Sequence, residues 1–179
     1  GVKGNLRRDE QNEVTSVDPY VQLEWERDRW VLSGGVRHSR VDFDVKDRYL
    51  SNGDDSGGND FRHTTPLVGV LYKVSSTLNV YASAARGFET PTMNESFYSG
   101  TGGGFNFGLA PAIGTHLEAG VKAMVASGVR VNAAVFQVKT KDELVVDASS
   151  GGRTSYRNAG ATLRQGGELS VDAELGAGW

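Results

Sequence analysis

Two stretches of this chain carry residue types that could hold a ligand. Between Gly87 and Gly114, Phe88, Phe97, Tyr98, Phe105 and Phe107 surround a glycine-rich run at 100–104. Aromatic rings on so pliable a backbone could stack on a catecholate or another planar chelating group, or simply pack the segment against its neighbours. Further on, Arg153, Tyr156 and Arg157 could attract an anionic chelate, although exposed arginine is ordinary on any loop. The glycine run is no phosphate cradle, because no helix follows it to supply N-terminal amides.

Other chemistry is excluded by spacing. Asp54, Asp55 and Asp60 lie in an oxygen-rich stretch, but without the regular ligand alternation and the distal glutamate of a calcium loop, so a solvated loop tip is expected. His38, His63 and His116 are scattered with no i, i+4 pair, and the chain has no Cys, which argues against zinc. Neither a Gly-x-Ser-x-Gly elbow nor any triad spacing is present, so no enzyme is expected, and no metal or cofactor of the protein's own.

Something must position these loops, and alternation is the strongest signal. In Tyr20 to Arg27, Val21, Leu23 and Trp25 fall on one face and Gln22, Glu24 and Glu26 on the other. Asp28 and Arg29 then separate this strand from Trp30, Leu32, Gly34 and Val36. Pairing Arg27 with Trp30 brings Trp25 opposite Leu32 and Leu23 opposite Gly34, so the apolar faces coincide. The construction recurs at Leu67 to Lys73 with Leu78 to Phe88, and at Leu117 to Val125 with Val129 to Val135. Matching the last pair of faces predicts a three-residue loop, Ala126 to Gly128. A seventh strand is expected over roughly Gln165 to Leu175.

Turn centres near residues 28, 75, 127 and 177 give a period of about 50 residues with no competing helical pattern. Between the hairpins lie long polar stretches, Val41 to Arg62, Gly87 to Gly114 and Thr140 to Gln165, of a length uncommon in compact soluble domains. Short turns therefore gather at one end of the sheet and long loops at the other, the asymmetry of an outer-membrane barrel. No stretch is long and apolar enough for a membrane helix, but a spanning strand needs only about 9 to 11 residues, apolar on one face.

The 179 residues include 24 Gly and carry a formal net charge of −3, which suits many turns and gives no basic footprint for nucleic acid. Glu24, Arg37, Lys73, Glu118, Lys122, Arg130, Glu168 and Asp172 all share the polar face, and a water-filled or protein-filled lumen would accommodate them. Trp25, Trp30, Tyr72 and Trp179 sit close to the short turns, where a membrane barrel carries an aromatic girdle. A soluble antiparallel β-sandwich with one face in its core would show the same alternation, and a passive porin or small adhesin barrel is the other alternative.

Leu78 to Phe97 reads LNVYASAARGFETPTMNESF, a strand ending in Arg-Gly-Phe followed by Thr-Pro and Asn-Glu, and it resembles the strand-to-loop segment of TonB-dependent outer-membrane receptors. His116 to Val146 and Ser155 to Leu175 resemble barrel strands of that family in the same order. The resemblance covers roughly residues 18 to 179. It implies an all-β, antiparallel, up-and-down transmembrane barrel, with residues 1–179 as part of one barrel domain contributing about seven to eight strands, short periplasmic turns and long extracellular loops. The plug domain and the segment contacting the TonB complex are expected to lie outside these residues. The implied activity is uptake of a ferric siderophore or similar metal chelate across the bacterial outer membrane, energised through TonB, in contact with outer-membrane lipid. Arg86 matches the arginine of the family's Arg-Gly-Phe segment, which implies a lumen salt bridge with the plug or a neighbouring strand.

Overall fold

The computed structural model describes residues 4, 6, 8–97, 104–150, 153–174 and 176. Its centre is an antiparallel eight-stranded sheet: β1 (Glu10–Val17), β2 (Tyr20–Arg27), β3 (Trp30–Asp47), β4 (Gly57–Lys73), β5 (Leu78–Glu89), β6 (Ala112–Ala126), β7 (Val129–Lys141) and, after an excursion, β10 (Ala161–Ala173). The excursion is a separate hairpin of β8 (Leu144–Ser150) and β9 (Arg153–Asn158), and a four-residue helix α1 (Met93–Ser96) follows β5. From β2 to β7 neighbours along the sheet are neighbours in sequence, as in a meander, with β1 also on β3 and β10 on β7, and among the described residues the sheet does not close on itself or pack on a second sheet. A β-sandwich is therefore not the architecture.

β1 and β2 occupy one position at the sheet edge. Val17 stands opposite Arg40 and Tyr20 opposite Arg37, one unbroken register on β3, interrupted only at Asp18 and Pro19. Proline has no N–H to give the ladder, but the Pro19 carbonyl still accepts a bond from the His38 amide at 2.9 Å. Residues Glu10–Val17 are thus the outer half of a long edge strand.

Four further expectations are corrected by the structure. The β6–β7 connection is a two-residue turn, Ser127 and Gly128, closed by Ala126 opposite Val129, with a bulge between Met124 and Ala126 that restores the expected register above it. Gly128 adopts φ 73°, which glycine takes without a Cβ penalty. Most of Val41 to Arg62 is strand, leaving only 48–56 as loop. Within 140–165, β8 and β9 form their own ladder. And α1 is helical, with Thr92 and Glu95 in a reciprocal capping box.

The extension of β3 and β4 has a simple cause. Up to Val36 the apolar residues Trp30, Leu32 and Val36 lie on one face; from Val41 upward Val41, Phe43 and Val45 lie on the other, with no bulge between them. β4 repeats the change: Tyr72, Val70 and Val68 share the first face, Phe61 the second. Near the short turns the apolar face is bare, with Leu23 73% and Leu169 72% exposed. Beyond the change, the opposite face is covered. Val45 (2% exposed), Phe61 (8%) and Leu109 (4%) are buried there with Ala112 and Pro91, so the dry core of the described residues lies at the long-loop end.

Candidate functional site

The long-loop end is a packed cap. Residues 90–97 leave β5 and form α1, and α1 and residues 105–109 lie against the face of the β3–β4 extension on which Phe43 and Phe61 meet edge-to-face at 5.6 Å. Phe105 links Phe97, at 4.9 Å, to Phe107, stacked at 5.6 Å. The Arg8 guanidinium lies over the Phe97 ring at 3.7 Å and 6.0 Å from that of Phe105, a cation–π arrangement. Asn59 Nδ2 donates to the Phe107 carbonyl at 2.9 Å, tying the segment to β4.

Asn158 ties the cap to the β8–β9 hairpin. Its Oδ1 accepts from the Ala110 amide at 2.8 Å, while its Nδ2 donates to the Ala110 carbonyl at 2.8 Å and the Asp142 carbonyl at 2.7 Å. Asn106 Nδ2 reaches the Tyr156 carbonyl at 3.5 Å, and α1 packs against β9. The structure thus brings Phe97, Phe105 and Phe107 beside the strand that carries Arg153, Tyr156 and Arg157. All three phenylalanines and Tyr156 are half-buried, whereas Arg153 and Arg157 are exposed, Arg157 in an ion pair with Asp147 at 3.1 Å. Tyr98 lies outside the described residues, as does Trp179.

Asn158 and the Thr92–Glu95 box hold the cap together yet had not been singled out. The box was readable as Thr-x-x-Glu; nothing local distinguishes Asn158 from any loop asparagine. At the base of the hairpin, Glu143 is held below the usual carboxylate range, first by the Thr162 hydroxyl and then by the Arg164 guanidinium. The aspartates of the first loop are absorbed locally: Asp54 accepts from the Ser56 amide at 2.9 Å, and Asp47, not Asp60, is the buried one, accepting from the Tyr49 amide at 2.8 Å. Among the described residues no cluster of acidic and histidine side chains is arranged to hold a metal.

Register places the charged residues of the wall. Glu24, Ser33, Gly69, Ser83 and Glu118 follow one another across the strands, on the face opposite Trp25, Leu32, Val70, Ala82 and Ala119. Lys122, Arg130, Glu168 and Asp172 share that polar face, as does Arg37 higher up. Tyr81 donates to Glu118 at 2.6 Å with the Lys122 ammonium 5.2 Å from its ring centre. Lys73 pairs with Glu26, and Asn132 Nδ2 donates to Ser170 at 3.2 Å. Near the short turns Trp30 and Tyr72 meet at 4.6 Å on the apolar face. Arg86 has the register of Ala82 and Ala84, but the β4–β5 ladder ends at Leu67 opposite Ala85. Above that point Arg86 lines a polar cleft with Arg37, Ser39 and Thr65.

The family described as TonB dependent receptor-like, beta-barrel, matches residues 1–179. The metal-pseudopaline receptor CntO of Pseudomonas aeruginosa (strain UCBPP-PA14) is 29% identical over 175 residues, covering 94% of this chain and 23% of that protein. The ferric-catecholate import receptor Fiu of E. coli K12 superposes with a TM-score of 0.71 at 17% identity, over 94% of this chain and 26% of that one. The siderophore receptor PiuA of Acinetobacter baumannii gives 0.72 at 18% identity, over 94% and 24%. The chain thus spans about a quarter of the length of the relatives it matches. An exposed apolar band on an open meander, tight turns at one end and a packed cap at the other are what a section of a large barrel wall requires. With the family match running the whole length, the chain belongs to the TonB-dependent receptor β-barrels of the Gram-negative outer membrane.

Proposed function

We propose that the receptor containing this chain binds metal chelates, ferric siderophores among them, at its extracellular end and carries them across the outer membrane with energy delivered through TonB to a plug outside these residues. The observation that carries this reading is the cap. Aromatic rings of one long loop are held by side-chain-to-backbone bonds beside the strand of another that exposes Arg153 and Arg157. That gives a fixed polar and aromatic rim suited to planar, anionic chelating groups. The relatives support it, since the matched receptors are named for metal-pseudopaline, ferric catecholate and siderophore. The family consists of transport receptors, so no chemical step is assigned to the chain.

In this reading Phe97, Tyr98, Phe105, Phe107, Arg153, Tyr156 and Arg157 form or support the ligand rim. The apolar face of β2 to β10 meets lipid, while Glu24, Arg37, Arg86, Glu118, Lys122, Arg130, Glu168 and Asp172 face the lumen. The test is uptake of radiolabelled ferric siderophores, and of zinc, nickel and cobalt chelates, by cells with and without the full-length receptor. Uptake that needs both the receptor and an intact TonB system is expected. Uptake that persists without TonB would make the protein a passive pore, and uptake indifferent to the receptor would refute the chelate reading.

A further inference from the structure

On the last three strands of the sheet the apolar face carries charge of one sign. In β6, β7 and β10 every carboxylate (Glu118, Glu168 and Asp172) lies on the polar face, as do Lys122, Arg130 and Arg164. Of the charged residues in these strands Lys139 and Lys141 alone share the face of Val135, since the β7–β10 register runs unbroken from Val129 to Lys141. Both are exposed, and neither makes an ion pair among the described residues.

Their position follows the layers of a membrane. Along β7 this face reads Val131, Ala133 and Val135, then Gln137, then Lys139 and Lys141. The step from Val135 to Lys139 covers about 13 Å along a strand, or roughly 10 Å along the membrane normal at the tilt of a barrel strand. That reaches the headgroup layer above the hydrocarbon, where a lysine on a lipid face costs little. β3 and β4 arrive at cations by the same step, Val36 then His38 then Arg40, and Pro66 then Thr64 then Arg62. There the charge is cancelled, because Arg40 pairs with Asp42 at 2.9 Å and Arg62 with Asp60 at 2.7 Å. On β7 nothing cancels it.

A free anion would need only the cations, whereas a lipid needs them beside unbroken apolar surface. Gln165 Nε2 donates to Gln137 Oε1 at 2.7 Å, fixing an amide pair between the lysines and the apolar band. Opposite Lys139 on β10, Leu163 keeps an exposed apolar side chain at the level of the charge. We propose that this outward corner of β6, β7 and β10 docks a phosphorylated lipid of the outer leaflet. Lys139 and Lys141 hold its phosphate, and the band at Val135 and Leu117 takes its acyl chains. The proposal rests on the lipid-face assignment and not on the chelate reading.

The experiment follows lipid occupancy of the full-length receptor in mild detergent by native mass spectrometry, with a diphosphorylated, hexa-acylated glucosamine disaccharide as probe. The double variant Lys139→Gln, Lys141→Gln should bind it roughly tenfold or more weakly, since each lysine at an anionic surface contributes about fivefold. Lys139→Arg with Lys141→Arg should retain binding, Arg40→Gln should leave it unchanged, and removal of the lipid's phosphates should abolish the difference between wild type and the glutamine variant. If the glutamine pair lowers the yield of folded receptor, Lys139→Gln alone gives the same comparison at about fivefold. Equal occupancy of wild type and glutamine variants overturns the proposal. So does displacement of the lipid by equimolar inorganic phosphate, which would mark a site for a free anion. Failure of the face assignment would appear separately, as a Val135→Arg receptor reaching the outer membrane in normal amounts.

Discussion

At the scale of single residues, close approach decides more than charge. A Cβ on Gly120 would stand 2.6 Å from the Ala133 carbonyl oxygen and 2.7 Å from the Tyr81 ring, so the ring lies flat where a side chain would be. That position lets the Tyr81 hydroxyl reach Glu118. In most strands Gly→Ala is neutral or helpful, but overpacking here should cost about 1 to 3 kcal/mol. Gly120→Ala should therefore lower the unfolding midpoint of the full-length receptor, and a raised midpoint would contradict the packing described. Asp18 makes a pH-dependent prediction. Its carboxyl is drawn from 3.8 down to about 2, first by the Ser16 hydroxyl, then by Ser39, then by Arg37. A depressed carboxylate stabilises the fold fully above its unfolded value and loses that contribution as pH falls through its folded value. Glu143, also depressed, acts in the same direction. In a titration of unfolding midpoint against pH, Asp18→Asn should remove part of the fall between 3.8 and about 2. The same slope in both proteins would show that the Asp18 cluster contributes nothing.

At the scale of elements, the hairpins were legible in the sequence and the cap was not, for one physical reason. Alternation reports which face of a strand is covered or lipid-facing, and in β3 and β4 that face changes between Val36 and Val41 and between Pro66 and Phe61 while the strands run on unbroken. A reader following one phase sees the pattern stop and infers a loop. Two-faced strands are legible only where the environment stays constant. The pairing of Arg27 with Trp30 was readable because all of it lies within one environment. The cap depends on Asn158, Asn59 and Phe107 meeting across distant segments, which no local pattern records. Two predictions belong here. Val135 lies on the apolar face, 63% exposed, whereas its neighbour Ala134 stands opposite Glu168 on the polar one. Val135→Arg should impair membrane insertion at a cost of about 2 to 4 kcal/mol near the bilayer centre, and Ala134→Arg should be tolerated; equal amounts of folded receptor in the outer membrane from both variants would refute the face assignment. In the cap, Asn158→Ala removes three bonds to backbone and leaves the Ala110 groups unpaired. Such a loss costs about 1 to 3 kcal/mol and should appear as faster hydrogen exchange in 104–111 and 142–146 with the strands β5 to β7 unchanged. Uniform exchange across all of these segments would mean that the cap and the wall unfold together.

At the scale of the whole molecule, the wall is stable only in company. Its faces are one residue thick, neither is covered near the short turns, and the buried side chains Val45, Phe61, Leu109 and Ala112 all belong to the cap. β1 and β2 at one edge and β10 at the other present unpaired backbone, since β3 and β7 are the last strands with neighbours on both sides. In the hydrocarbon of a bilayer unpaired backbone costs several kcal/mol per group, and in water such an edge is a template for further pairing. The family solves both problems by closing the sheet with strands that these residues do not include. It follows that residues 1–179 prepared alone in water should not give a monodisperse monomer, whereas the full-length receptor in detergent should. Light scattering coupled to size-exclusion chromatography distinguishes the outcomes. Aggregates or high-order oligomers from the isolated segment, reduced but not abolished by detergent because the edges remain open, are the expected result. A stable monomer of 19.2 kDa in buffer without detergent would mean that the exposed band around Leu23 and Leu169 finds cover within the chain itself. The open meander would then not be the fold of the isolated segment.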